Sequence, residues 1–324
     1  MKKILSLVVA VLLIAGLATV AFAADYPTKG LTAINPWSAG GGTDSCLRAF
    51  TAALEKQLGQ TITVDNRTGA SGVTGHEAIA DADPDGYTIG MITFELATYK
   101  ALEMSDYTYE DYDALCRVNT DAAAVTVNAK WASDNGIADL QGYIDYCLAH
   151  PGEVRMGGSS SGSVWHIAGG YLMNATGIEI RMITFADGAA DAVKSAAQGE
   201  IEGVTVSLAE ARSFIESGDL VCLGVMDTER NPAESFKDIP TCQEQGVDAV
   251  YATQRGLALP KGVDEEIRKT LEDACAAAIE DPDFVAAMGN MGQAISYMNA
   301  EEYTAFIAQA AIDVPAAMEA VGLL

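Results

Sequence analysis

Histidine and basic residues are scarce in this sequence. There are three histidines, His76, His150 and His166, and 19 Lys and Arg against 45 Asp and Glu. The formal net charge is −26. That excess repels phosphate backbones, which excludes nucleic acid as a partner. It also gives an anionic ligand no long-range attraction. An anion site here has to be built locally, from backbone N–H groups and helix N-termini. The six cysteines, Cys46, Cys116, Cys147, Cys222, Cys242 and Cys275, include no C-x-x-C pair. Zinc ribbons and thioredoxin-type motifs are therefore excluded. Their even number permits disulfides, but the sequence chooses no pairing. P-loop and H-E-x-x-H motifs are absent,. Gly69–Gly75 is glycine-rich but lacks the G-x-G opening of a dinucleotide fingerprint. No metal and no cofactor are expected.

Long apolar runs are also missing, with one exception at the N-terminus. Residues 1–23 carry Lys2 and Lys3, then an apolar run, then Ala21-Phe22-Ala23. This is the pattern of a cleavable secretory signal peptide. An uncleaved anchor is the other reading, but no basic stop-transfer flank follows. No cysteine sits at the cleavage point, so lipid attachment there is not indicated. The mature chain is expected to be soluble and extracytoplasmic. Without Lys2 and Lys3, 17 basic residues face 45 acidic ones, a formal charge of −28. A mature length of about 300 residues suits two lobes rather than one core.

Strand-like runs alternate with helix-like runs along most of the chain. Strands are expected at Leu31–Ile34, Thr61–Val64, Tyr87–Thr93, Ala123–Val127, Val154–Gly157, Ile178–Thr184, Ile201–Ser207 and Val221–Met226. Thr43 or Asp44 can cap a helix whose apolar positions Leu47, Phe50, Leu54 and Leu58 recur at helical spacing. Further helices are expected near 73–82, 137–149, 265–280 and 300–320. The alternation indicates parallel sheets covered by helices. No Pro/Gly linker separates two consecutive domains, so the lobes are expected to interleave. Ligands in such folds bind beyond the carboxyl ends of strands, which places a site between the lobes.

Two Gly/Ser-rich strand-to-helix turns are the candidate chemistry. The first is Pro36-Trp37-Ser38-Ala39-Gly40-Gly41-Gly42-Thr43-Asp44. Its glycines let backbone approach a ligand, and the following helix adds a partial positive charge. The plainer reading is a tight turn capped by Asp44. The second is Gly157-Gly158-Ser159-Ser160-Ser161-Gly162-Ser163, about 120 residues later. Alone, it also reads as a flexible surface turn. Facing each other across a cleft, the pair makes an anion clamp. Gly158–Gly162 also fits G-x-S-x-G, the nucleophile elbow of a serine hydrolase using Ser160. That triad needs a histidine far downstream, and the one histidine after Ser160 is His166, on the next helix. Catalysis is not expected.

Pro36–Asp44 with Arg48 resembles the P-[FW]-x-x-G-G-x-x-D…R turn of the substrate-binding proteins of tripartite tricarboxylate transporters, the Bug-type receptors. Val64–Gly72 is similar to the family's V-x-N-x-x-G-A-x-G, and Asp85–Thr88 to its D-G-Y-T. Gly158–Ser163 followed by His166 looks like its G-x-x-G-S-x-x-H. Leu257–Gly262 and Glu280–Pro282 also fall where the family has similar residues. The resemblance spans essentially the whole mature chain. It implies an α/β, two-lobed periplasmic-binding-protein (Venus flytrap) fold, each lobe a mostly parallel sheet flanked by helices. Lobe 1 would hold residues 24–122 and 246–324, and lobe 2 residues 123–245.

The implied function is capture of a small carboxylate-containing solute, a di- or tricarboxylate or related organic acid. The solute would pass to the membrane components of a tripartite tricarboxylate-type transporter. A monomer is expected. The implied ligand-binding set is Trp37, Ser38, Ala39, Gly40, Gly41, Thr43, Asp44, Ser159, Ser160, Ser161, Gly162, Ser163, His166 and Asp187. Backbone N–H groups and hydroxyls, rather than an arginine, would hold the carboxylate. Arg48, the one nearby cation in sequence, is expected to brace the turn through Asp44. His166 either touches the ligand or packs beneath its turn. The family's P-Y-x-G is absent at Thr184–Gly188. Asp187 there either caps the next helix or puts a negative charge near the ligand, which would suit an amino acid.

Overall fold

The computed structural model of the chain describes residues 26–186, 188–320 and 323–324. The signal segment 1–23 and Asp187 lie outside the described residues. Eleven strands form two sheets among them. The first sheet has the order Ala294–Asn299 (β11), Tyr112–Ala122 (β4), Ala252–Pro260 (β10), Thr88–Thr93 (β3), Leu31–Asn35 (β1), Ile62–Asn66 (β2). The second has the order Arg181–Ile183 (β7), Arg155–Gly157 (β6), Gly203–Val204 (β8), Ala124–Asn128 (β5), Leu220–Val225 (β9). Each sheet carries its own helices and its own apolar core. The chain leaves the first sheet after β4 and returns to it at β10.

The two-sheet α/β architecture agrees with the sequence reading, but the sheets are mixed rather than mostly parallel. β1, β2 and β3 pair in parallel, whereas β10 runs antiparallel to both β3 and β4, and β11 antiparallel to β4. In the second sheet β6 pairs in parallel with β7 and β8, while β5 is antiparallel to β8 and β9. The strands β4, β10 and β11 are absent from the pattern reading. In two of them polar residues explain why: Arg117, Asn119 and Asp121 interrupt β4, and Thr253, Gln254 and Arg255 interrupt β10, yet all six are buried, while β11 is an edge strand with no buried residue. Buried polar side chains break the apolar run that marks a central strand.

The helix Gly42–Leu58 behind the first turn shows how local sequence sets the site. Cys46, Leu47, Phe50, Ala53 and Leu54 are buried at helical spacing,. Gly59, at φ 65°, ends the helix in the left-handed region,. Its N-cap is Gly41, not Thr43 or Asp44, and no side chain caps it. The Asp44 carboxylate is engaged elsewhere, accepting from Gly40 N–H at 2.9 Å. The helix Val164–Thr176 behind the second turn follows the capping rule. Ser163 Oγ accepts from His166 N–H and Gly177 closes the C-terminus,.

The C-terminal helix Ala300–Ala320 touches both bodies. Tyr303 and Ile307 sit in a core with Ile34 and Ala258 of the first sheet. Val314 and Met318 join the core of the second. All six cysteines are unpaired, and Cys222 alone is not fully buried.

Candidate functional site

A cavity of about 30 Å³ lies between the two bodies. That is space for about two waters, so a larger solute enters only if the bodies separate. Trp37, Ser38, Gly41, Gly42 and Thr43 line it from the first turn, and Ser159, Val164 and Trp165 from the second. The sequence-predicted residues brought together on this cavity are thus Trp37, Ser38, Gly41, Thr43 and Ser159. Ala39, Gly40, Asp44, Ser160, Ser161, Gly162, Ser163 and His166 are not on its lining.

Several of these support the turns instead. Asp44 is buried and accepts from Gly40 N–H, from Asn66 Nδ2 at 2.8 Å and from Arg48 Nε at 3.0 Å. Burial alone would raise its pKa, but the hydrogen bonds from Arg48, Gly40 and Asn66 outweigh that and lower it,. Asp44 is a brace, and Arg48 is its partner as expected. In the second turn, Ser159 and Ser163 hydroxyls pair at 2.7 Å. His166 Nδ1 accepts from Gly162 N–H at 3.1 Å, so the ring packs back onto its turn. Burial lowers its pKa. Ser160 Oγ is buried with no partner among the described residues, so no base contacts it.

Among the lining residues that were not anticipated, Thr93, Glu95, Glu210 and Arg255 carry the polar contacts. Glu95 follows β3 and is 2% exposed. Its Oε2 accepts from Thr93 Oγ1 at 2.5 Å, and its Oε1 accepts from Val164 N–H at 3.1 Å. Trp37 Nε1 donates to the same Thr93 hydroxyl. A carboxylate that follows a strand of the first sheet therefore sits on the N-terminus of the second turn's helix. The reciprocal contact also exists. Glu210, from the helix Leu208–Ser217 of the second body, accepts from Gly42 N–H at 3.2 Å. Its other oxygen, Oε2, is buried without a partner among the described residues. Each helix N-terminus receives a carboxylate from across the cavity, as the helix dipole favours.

Arg255 corrects the expectation that Arg48 is the one nearby cation. It is 2% exposed, on β10. Its Nε donates to Thr43 Oγ1 at 3.0 Å, and its Nη1 lies 3.2 Å from Asp121 Oδ2. Burial disfavours its charge, yet Asp121 and Glu210 more than compensate and raise its pKa. Burial pushes Glu95 and Asp121 upward. It pushes Glu210 up to about 7. Gly42 rather than Gly41 is the tight position. A Cβ at Gly42 would lie 2.8 Å from Arg255 Nη2 and 3.1 Å from Glu210 Oε1, whereas one at Gly41 would meet nothing closer than Ser38 O at 3.4 Å.

Charge and contact over this distance are hard to read from sequence. Gly42 and Glu210 are 168 positions apart, and Glu210 sits in the first turn of a helix, where an acidic residue needs no function. No group of three or more His, Cys, Asp or Glu among the described residues could hold a metal ion.

Comparison with known proteins fits this geometry. BugT of Bordetella pertussis is 28% identical over 320 residues, covering 95% of this chain and 94% of its own. A TctC solute-binding protein from Polaromonas, solved without ligand, is 32% identical, with 91% and 99% coverage and a TM-score of 0.68. Two further structures share the fold at lower identity. An R. palustris protein solved with adipate has 23% identity, 92% and 99% coverage and a TM-score of 0.85. MatC from Rhodopseudomonas palustris, with bound malate, has 20% identity, 91% and 100% coverage and a TM-score of 0.79. The family described as tripartite tricarboxylate transporter family receptor, TctC, matches residues 46–323. That match takes in most of the mature chain and ten of the fifteen lining residues, with β1 and the first turn just ahead of it, and it makes this protein a member of the tripartite tricarboxylate transporter family of solute-binding receptors.

Proposed function

We propose that this receptor works outside the cytoplasmic membrane, closing its two lobes on a small carboxylate-bearing solute and presenting it to the membrane components of a tripartite tricarboxylate-type transporter. Lobe 1 is read as residues 24–122 with 246–324, and lobe 2 as 123–245. One observation carries the proposal. The N–H groups of Gly42 and Val164 open two helices at one cavity, and each already donates to a carboxylate oxygen from the opposite lobe. Carboxylates are what these two positions bind. The solutes named for the adipate- and malate-bound structures are of the same chemistry. Trp37, Ser38, Gly41, Thr43 and Ser159 are assigned to ligand contact. Asp44, Ser163 and His166 are assigned to holding the turns. Asp187, outside the described residues, is retained as a proposed ligand-binding residue.

The receptor acts as a monomer and performs no turnover. The unpartnered Ser160 hydroxyl supports the latter. The test is thermal unfolding across a panel of mono-, di- and tricarboxylates and amino acids. A true ligand raises stability by RT ln(1 + [L]/Kd), about 2.7 kcal/mol at a hundredfold excess over Kd. Small-angle scattering with that ligand should show a smaller radius of gyration, because half the donors come from each lobe. Stabilisation by amines or sugars, with none by any carboxylate, would sink the assignment.

A further inference from the structure

The cavity holds more carboxyl groups than an anion receptor requires. Asp121 is answered by Arg255 at 3.2 Å. Glu95 and Glu210 have no comparable ion pair among the described residues. Glu95 is satisfied by one hydroxyl and one backbone N–H. Glu210 is satisfied only at Oε1, and its Oε2 is buried at the cavity wall without a donor. Three carboxyl groups thus share the field of one guanidinium, that of Arg255. Burial already pushes these three carboxyls towards their neutral forms, and a solute carrying only carboxylates would push them further, because like charges brought together out of water repel strongly. A buried acceptor with no donor is also costly to keep, so its presence at a binding cavity points to a donor supplied from outside.

We propose that the solute carries a protonated amine beside its carboxylate, as an amino acid does, and that Glu210, with Glu95, receives that amine. This rests on the carboxylate reading given above and narrows it. The solute carboxylate goes to the helix N-termini and Arg255. When the lobes part, the Gly42 and Val164 N–H groups are released from Glu210 and Glu95. On closing, the ammonium lies between the two glutamates and supplies the donor that Glu210 Oε2 lacks. The charge count then balances better than with a dicarboxylate. Thr93 and Trp37 fix Glu95 in place for this role.

The test uses matched solutes that differ only by an amino group: succinate and aspartate, glutarate and glutamate, propionate and alanine, 3-methylbutyrate and leucine. Isobutylamine and propylamine supply the amine alone. Affinities are measured by calorimetry at pH 7.5 on the whole mature protein, its Glu210→Gln variant and its Glu95→Gln variant, with circular dichroism to confirm that each is folded. At least one amino member is expected to bind tenfold or more tightly than its partner. That ratio is expected to fall at least fivefold in Glu210→Gln, whose side chain keeps its shape. If Glu95→Gln fails to fold, Glu210→Gln decides alone. Equal or tighter binding of the amine-free acids would overturn the proposal and leave the carboxylate reading intact. An amino preference that survives in Glu210→Gln would also overturn it. Binding of the simple amines without any acid would overturn the carboxylate reading instead. Binding by no member of the series overturns both.

Discussion

The two turns that face each other across the cavity do the same job with different materials. The first is held by charge. Asp44 gathers Gly40 N–H, Asn66 and Arg48, while Arg255 and Asp121 fasten Thr43 from behind. The second is held without charge of its own. Ser159 bonds Ser163, Ser163 caps the helix, and His166 accepts from Gly162. Each then takes one carboxylate from across the cavity. The difference teaches that an anion clamp needs only the helix N-terminus and close backbone. What surrounds it decides how firmly it is held and how it responds to pH.

The sharpest way to break the comparison is to remove the buried cation behind the first turn. Arg255→Met leaves Asp121 buried without its partner and Thr43 without its donor. Losing one member of a buried ion pair costs roughly 3–5 kcal/mol. Urea denaturation of the ligand-free protein measures it. A loss under about 1 kcal/mol would mean that the first turn does not depend on this ion pair. The contrast with the second turn would then fail.

The next effect separates the turns by pH. Burial raises Glu210, which rests on the first turn, to about 7. A carboxyl raised in the folded state contributes stability that is full below its unfolded value, about 4.3. That contribution is lost as pH rises through the folded value. Wild type is therefore expected to lose stability relative to Glu210→Gln between about pH 4.3 and pH 7. The full difference is at most about 4 kcal/mol, at 1.36 kcal/mol per unit. Paired thermal or urea melts at pH 4, 5.5 and 7.5 read it directly. Parallel curves for the two proteins would show that Glu210 is not desolvated in solution.

How the turns were found, and what was missed around them, follows from the range over which sequence speaks. Gly40–Gly42 and Ser159–Ser163 advertise themselves because backbone approach and capping are local demands, met by residues a few positions apart. The same holds for most helices and for β1, β2 and β3. β4 and β10 escaped because their buried positions carry Arg117, Asn119, Asp121, Gln254 and Arg255, which spoil the apolar run, and β11 because it has no buried position. That omission also produced the expectation of mostly parallel sheets. Glu95, Glu210 and Arg255 were missed for a related reason. Each looks like an ordinary surface charge until the tertiary fold brings it 70 to 210 positions along the chain to its partner, as with Arg255 and Thr43, 212 apart. Arg48 and Asp44 were legible because they are one helical turn apart,.

A third contrast compares the bracing groups directly. Asp44→Ala removes an acceptor used by Gly40 N–H, Asn66 and Arg48, in a residue 4% exposed. The loss is expected to be about 2 kcal/mol, since buried donors are left unpaired. Ser163→Ala removes one N-cap and the hydroxyl partner of Ser159, at about 1 kcal/mol. Equal losses, measured by denaturation midpoint at constant slope, would erase the distinction between a charged and a neutral brace.

The smallest expected effect isolates charge from geometry within the first turn. Arg48 meets Asp44 through Nε at 3.0 Å and reaches Asn66 Oδ1 through Nη2 at 2.9 Å. Its own side chain is 50% exposed, while that of Asp44 is 5% exposed. The pair is therefore half in water, where screening removes most of its Coulomb energy. Arg48→Gln keeps a donor of nearly the right reach and removes the charge. The cost to stability is expected to be about 0.5 kcal/mol, near the middle of the range for exposed pairs. It should shrink further in 0.5 M salt. Affinity for the solute should hardly change, because Arg48 is absent from the cavity lining and Arg255 is on it. Calorimetry and urea melts on the one variant answer both points. If Arg48→Gln removed most of the affinity from a protein of normal stability, the cation that meets the solute would be Arg48. Arg255 would then be only a support, and the charged turn would bind its ligand from the outside face rather than through its helix N-terminus.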